Sequence, residues 1–182
     1  MNVFILNTGR CGSTTFIQAC RHISNYSAGH ETRLRLIGDA RLAYPDNHIE
    51  ADNRLTWLLG RLDQAYGDRA YYVHLTRERA ATAASFAQRK DFGIMKAYRE
   101  GLLLEGEPGQ TSLDIALDYL TTAETNIAHF LKDKTHTMSF RLEHAQRDFP
   151  VFWNWINAQG RLDAALLEWQ SRHNASMPRG HP

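Results

Sequence analysis

The chain has little of several things. It holds two cysteines in 182 residues, no surplus of either charge and no long apolar run. Cys11 and Cys20 do not form a metal-type pair, so no metal site is expected from them and both are expected to be reduced, Cys20 on the apolar side of a helix and Cys11 in the loop before it. Lys and Arg number 21 against 20 Asp and Glu, a net charge of +1. With no global field to draw the protein to nucleic acid or an anionic membrane, any basic site must be local. No stretch approaches the length of a membrane span. The first apolar run is broken by Asn7 and Thr8 and no basic leader precedes it, so a secretion signal is not expected and the chain is read as cytoplasmic. The length suits one well-buried α/β domain over residues 1–182 and is short for two. There is no internal repeat or low-complexity tract.

Against that background one stretch stands out, Asn7-Thr8-Gly9-Arg10-Cys11-Gly12-Ser13-Thr14-Thr15. Val3 to Leu6 before it reads as a buried strand, and Phe16, Ile17, Cys20 and Ile23 recur at helical spacing after it. The loop therefore opens a helix, where unpaired backbone N–H groups and the positive end of the dipole favour a phosphate or sulfate. Gly9 and Gly12 allow close approach of the backbone, Arg10 adds a charged fork, and Ser13, Thr14 and Thr15 add hydroxyls. A nucleotide-binding P-loop ends in Lys followed by Ser or Thr, and this loop contains no lysine.

A second segment, Tyr71 to Arg77, reads as a strand that ends at Arg77, with Ser85 eight positions later on the following helix. Arg10-Cys11-Gly12-Ser13-Thr14 resembles the 5′-phosphosulfate loop of sulfotransferases, and the Arg77 and Ser85 spacing is similar to their 3′-phosphate element. The resemblance is concentrated in residues 3–31 and 71–85. It implies a P-loop-like three-layer α/β fold, with a small central parallel sheet flanked by helices. It further implies the cofactor 3′-phosphoadenosine 5′-phosphosulfate (PAPS), held by Arg10, Cys11, Gly12, Ser13, Thr14, Thr15, Arg77 and Ser85. The implied activity is sulfuryl transfer by in-line displacement to a hydroxyl acceptor, a carbohydrate or a small molecule. Recognition of the extra phosphate by a guanidinium and a hydroxyl is chemically apt, because both give charge-assisted hydrogen bonds.

The remaining pattern supports alternation of strands and helices. Residues 24–48 lack sustained periodicity and read as a long loop. His48 to Ala51 is a short strand, and Asp52 caps a helix striped by Leu55, Leu58, Leu59 and Leu62 and ended by Gly67. Helical patterns dominate beyond Ser85. Phe92, Met95, Tyr98 and Leu102 mark one helix, and Thr111 with Asp114 is a capping pair for a long one. Thr135 to Phe140 is the last strand. Asp148 and Pro150 open a tryptophan-containing helix stopped by Gly160, and Leu162, Ala165, Leu166 and Trp169 form the final one. The tail Arg172-His173-Asn174-Ala175-Ser176 is loosely similar to a segment that closes over the cofactor in sulfotransferases.

Sulfuryl transfer needs a base for the acceptor's proton and donors for charge on the leaving phosphate. Arg10 with the loop amides is assigned the leaving group. A sulfuryl group carries less negative charge than a phosphoryl group, so no metal is expected. The resemblance implies Glu31 as the base, since many carbohydrate sulfotransferases place a Glu there; His30 is the runner-up, because imidazole titrates nearer neutrality while a carboxylic acid needs desolvation or an acidic neighbour. Glu31 has a structural alternative in pairing with Arg33 or Arg35. Arg33, Arg35 and Arg41 offer charge for an acidic acceptor. Glu50, Asp52 and Asn53 gather polar groups at a strand end, where α/β proteins often bind ligands. Asp91-Phe92-Gly93 copies a kinase tripeptide without the accompanying motifs, and His30-Glu31 lacks the second histidine of a zinc-protease helix. The rival readings are a nucleotide-dependent kinase on a P-loop-like fold and a noncatalytic nucleotide-binding protein. The chain is short for the family it resembles, which leaves room for a homo-oligomer in which a second copy completes the acceptor pocket.

Overall fold

Five strands in the computed structural model, which describes residues 1–170, form one parallel sheet. They are β1 (Asn2–Leu6), β2 (Ser27–His30), β3 (His48–Ala51), β4 (Ala70–Thr76) and β5 (Thr137–Arg141), in the order β2-β3-β1-β4-β5. Every residue of β1 is buried, as expected of a central parallel strand covered on both faces. Side chains alternate across the pleat. Val3 and Ile5 enter one core and Phe4 and Leu6 the other.

The helices among the described residues are α1 (Ser13–Cys20), α2 (Leu59–Tyr66), α3 (Arg79–Ala87), α4 (Gly93–Ala97), α5 (Ser112–Leu131), α6 (Ala145–Trp155) and α7 (Leu162–Leu167). Phe16, Ile17 and Cys20 of α1, Phe149 and Phe152 of α6 and Ala165 of α7 pack on the Val3 face. Leu62 of α2 and Ile127 of α5 pack on the Phe4 face. A third cluster joins Phe86 of α3 and Met95 of α4 to Tyr98 and to Tyr119 of α5. The result is three layers, helix, sheet and helix. Because all strands are parallel, the loops after β1, β2, β3, β4 and β5 emerge at one carboxyl edge, the usual ligand side of such sheets.

Several sequence expectations are corrected. The stretch 24–48 contains the edge strand β2, whose Ser-Ala-Gly-His sequence has no β-branched or aromatic residue to announce it. Asp52 does cap, accepting the Arg54 amide at 2.9 Å, but it caps a 3₁₀ turn over Asn53–Trp57, and α2 starts only at Leu59. The segment from Phe92 to Leu102 divides into α4 and a π-helical turn over Tyr98–Leu102. The tryptophan-bearing helix α6 begins at Ala145, with Asp148 in its first turn and Pro150 inside it. Gly160 does not end that helix. It bridges antiparallel to Ile23 at φ 135°, where a Cβ would lie 2.2 Å from the His22 carbonyl oxygen. The last strand starts two residues late because the Thr135 amide donates to Asp68 Oδ1 at 2.7 Å instead of joining the sheet. The capping box of Thr111 and Asp114 is present on α5 as expected.

Candidate functional site

The loop after β1 is held from below. Asn7 donates from Nδ2 to the Ile5 carbonyl at 2.8 Å and accepts the Gly9 amide at 2.9 Å, a side-chain-made turn. Tyr119 from α5 donates its hydroxyl to the Thr8 carbonyl at 2.6 Å. Gly9, Arg10 and Gly12 all have positive φ, 90°, 59° and 90°. A Cβ on Gly12 would lie 2.6 Å from Leu142 Cδ1, a side-chain end that can turn aside, so it is the left-handed conformation at φ 90° that calls for glycine. No side chain among the described residues caps α1, and its first turn contains no acidic residue. That leaves the amides of the first turn, with the dipole behind them, directed at the cleft.

Around this loop the structure gathers guanidinium groups. Arg10 Nε donates to Ser85 Oγ at 2.9 Å, and Arg77 Nη1 donates to the Arg10 carbonyl at 3.2 Å. The pKa of Arg10 is lowered, first by burial and then by the charges of Arg89 and Arg77. Positive charge is thus gathered beside the glycine-built loop, where it favours an anion. Arg10, Arg77 and Ser85, expected from the resemblance, are brought together. Arg89 was not expected; it lies four residues beyond Ser85, past the end of α3.

The candidate bases sit at the end of β2. His30 Nε2 lies 3.0 Å from Ser13 Oγ, at the start of α1. Glu31 adopts φ 54°, donates its amide to the Ala51 carbonyl at 3.0 Å and pairs through Oε2 with Arg54 Nη1 at 2.9 Å. Its partner is neither Arg33 nor Arg35. Arg54 is a second cleft residue that spacing did not reveal, since its place depends on the turn after β3. Arg33 donates to the Ala40 carbonyl and lies over the Tyr44 ring, while Arg41 is buried in an ion pair with Asp52. Burial alone opposes the Arg41 charge, but Asp52 and Tyr44 outweigh it and raise its pKa. Neither arginine lines the cleft.

Cys11 corrects another expectation. Its thiol is 1% exposed, lies 3.5 Å from Asn7 Oδ1 and belongs to the core, where burial pushes its pKa up to about 12. Only its main chain belongs to the loop. Gly12, Ser13, Thr14 and Thr15 line a cleft of about 1080 Å³ together with Arg10, Arg77, Ser85, His30 and Glu31. Arg21, Arg54 and Arg89 add charge to it, and Phe92, Ile94 and Trp169 add apolar surface. Among the described residues no group of His, Cys, Asp or Glu could hold a metal ion, and no helix is long and apolar enough to cross a membrane. The tail segment 172–176 lies outside the described residues.

No family model and no curated protein matches the chain. Among solved structures it is similar to a sulfotransferase domain from the curacin biosynthetic pathway. The TM-score is 0.65 at 15% identity, covering 94% of this chain and 78% of that one. It is also similar to mouse sulfotransferase SULT7A1 complexed with PAP, with a TM-score of 0.60 at 10% identity, covering 93% of this chain. The chain spans 63% of the length of that mouse protein. At such identities the likeness is one of architecture: the chain has the sulfotransferase fold, a P-loop-like α/β arrangement with a central parallel sheet between helices.

Proposed function

We propose that this protein is a sulfotransferase that moves a sulfuryl group from PAPS to a hydroxyl of a carbohydrate or small molecule. The observation that carries the reading is the meeting, in one cleft, of the loop after β1 with the end of β4 and the following helix. Arg10 of the first loop bonds Ser85, and Arg77 bonds the main chain of Arg10. The donor set fits PAPS, which has phosphate oxygens at both ends of one nucleoside. The glycine-built loop and uncapped α1 suit its 5′ end, and Arg77 with Ser85, reinforced by Arg89, suits its 3′-phosphate. When bound, PAPS supplies an activated sulfuryl group with adenosine 3′,5′-bisphosphate (PAP) as leaving group.

The chain's own residues then have defined tasks. Arg10, Thr14, Thr15 and the start of α1 hold negative charge at the loop, and Ser13 shares its hydroxyl with His30. A hydrogen bond to a charged group contributes about 1.5–3 kcal/mol, so several donors converging on one anion suffice to hold it. Glu31 takes the proton of the acceptor hydroxyl, because it lines the cleft on a constrained backbone, and to do so it exchanges its Arg54 partner for the acceptor. His30 is the alternative base. The kinase reading lacks support at the loop, where no lysine is present.

The test is thermal melting with PAP compared with ADP, both in excess EDTA. A stabilisation by PAP that exceeds that by ADP is expected, because only a ligand that prefers the native state raises the melting point. Preference for ADP, or a requirement for magnesium, would reverse the reading.

A further inference from the structure

Two carboxylates lie fully buried on one side of the carboxyl end of β3, Glu50 and Asp52; Glu50 holds Thr32, the residue after Glu31, and Asp52 holds the main-chain amide of Arg54. Glu50 Oε1 accepts the Thr32 amide at 2.7 Å, and Oε2 accepts the Thr32 hydroxyl at 2.8 Å. His48 Nε2 lies 2.9 Å from the same Oε2, and its Nδ1 is 2.8 Å from Ser27 Oγ. Asp52 Oδ1 accepts the Arg54 amide, while Oδ2 takes Arg41 at 2.5 Å. Burying an ionised carboxylate is costly unless it is fully satisfied, and replacing it with apolar packing is often no worse for stability. A strand of a small sheet with two such groups behind one pair of cleft residues calls for another role.

The local backbone supplies it. Glu31 is held at φ 54°, a conformation that a side-chain-bearing residue keeps only when its surroundings impose it. The Ala51 carbonyl fixes the Glu31 amide, and Glu50 fixes the next residue by two bonds, so the turn is gripped on both sides. Room for the grip comes from Gly29. A Cβ there would lie 2.3 Å from Thr32 Cγ2 and 3.0 Å from Glu50 Oε2. We infer that Glu50, with Thr32, is a positioning device that presents Glu31 to the acceptor.

This inference rests on the sulfotransferase reading, and the experiment separates the two. Thr32→Val removes the hydroxyl bond while conserving shape, and Thr32→Ser restores it. Glu50→Gln retains volume and removes the charge. Each variant is compared with the wild type in amide hydrogen exchange at Glu31 and Thr32, in PAP affinity, and in turnover of radiolabelled PAPS with 2-naphthol and N-acetylglucosamine as acceptor probes. The expected result is faster exchange at both amides in Thr32→Val and Glu50→Gln, a kcat lowered about tenfold or more, and unchanged PAP affinity and acceptor KM. Thr32→Ser should recover most of the rate. Full turnover in Thr32→Val, or loss of kcat and PAP affinity in parallel, overturns the positioning role and leaves the sulfotransferase reading intact. A wild-type protein that neither binds PAP nor turns over PAPS overturns that reading and the positioning role with it, whatever the exchange data show.

Discussion

Replacing Arg77 by alanine isolates the feature that distinguishes the proposed ligand from an ordinary nucleotide. Arg77 donates to the Arg10 carbonyl at 3.2 Å and adds to the positive field that lowers the pKa of Arg10. In the free protein its removal therefore sacrifices one neutral-acceptor hydrogen bond, worth about 1 kcal/mol, and relieves a repulsion. The two offset one another, and the ligand-free melting point should move little. With PAP the balance is different. Losing hydrogen bonds to a doubly charged phosphate costs about 1.5–3 kcal/mol, roughly tenfold to hundredfold in affinity. At a PAP concentration of 100 times the wild-type Kd, binding stabilises the wild type by about 2.7 kcal/mol; a hundredfold weaker variant retains only about 0.4 kcal/mol. For a domain of this size 1 kcal/mol moves the melting point by about 2–4 °C, so a ligand shift of roughly 5–11 °C should fall to about 1 °C for a hundredfold loss, or to roughly 3–6 °C for a tenfold one. ADP, without the 3′-phosphate, should bind both proteins alike. Calorimetric titration at two salt concentrations checks the same point, since an ionic contribution weakens with salt. An Arg77→Ala protein that still prefers PAP over ADP by the wild-type factor would refute the assignment.

Other outcomes follow from the same geometry. Gly12→Ala places a Cβ 2.6 Å from Leu142 at φ 90°, and is expected to cost at least about 1–2 kcal/mol of stability, read by denaturant melts, and to abolish PAP binding. Glu31→Gln should lower kcat about a hundredfold or more with PAP affinity retained, whereas full turnover in both Glu31→Gln and His30→Ala would remove the base assignment. Burial raises the pKa of both Cys11 and Cys20, so neither thiol should react with a disulfide reagent at pH 8 until denaturant is added. The linkage has a sign. A thiol whose folded pKa stands above its ordinary value of 9.0 leaves the unfolded chain easier to ionise, so stability should fall as pH rises from 9 towards about 12. Melting points measured across that range would reveal it.

What could be read from the sequence was whatever local pattern records. β1 and β4 announce themselves as apolar runs, and α5 through its capping box and periodic stripe. Arg10, Arg77 and Ser85 were singled out by the resemblance of two strand-to-helix turns to those of sulfotransferases, and all three line one cleft. Arg54 and Arg89 were not, because tertiary placement alone brings them to the cleft. Arg41 resembles an exposed loop arginine until Asp52 is found beneath it. Cys11 sits in a loop that ought to face its ligand, yet the left-handed residues on either side turn its thiol into the core. The edge strand β2 escaped notice for a related reason: Gly29 is needed to seat Glu50, and the close fit replaces β-propensity.

The most direct measurement is incubation of the protein with PAPS labelled in its sulfuryl group, in EDTA, with an alcohol acceptor panel. Label should move to an acceptor with one PAP formed per group transferred, and Arg10→Ala should lose that transfer. Unchanged PAPS alongside magnesium-dependent consumption of ATP would contradict the account.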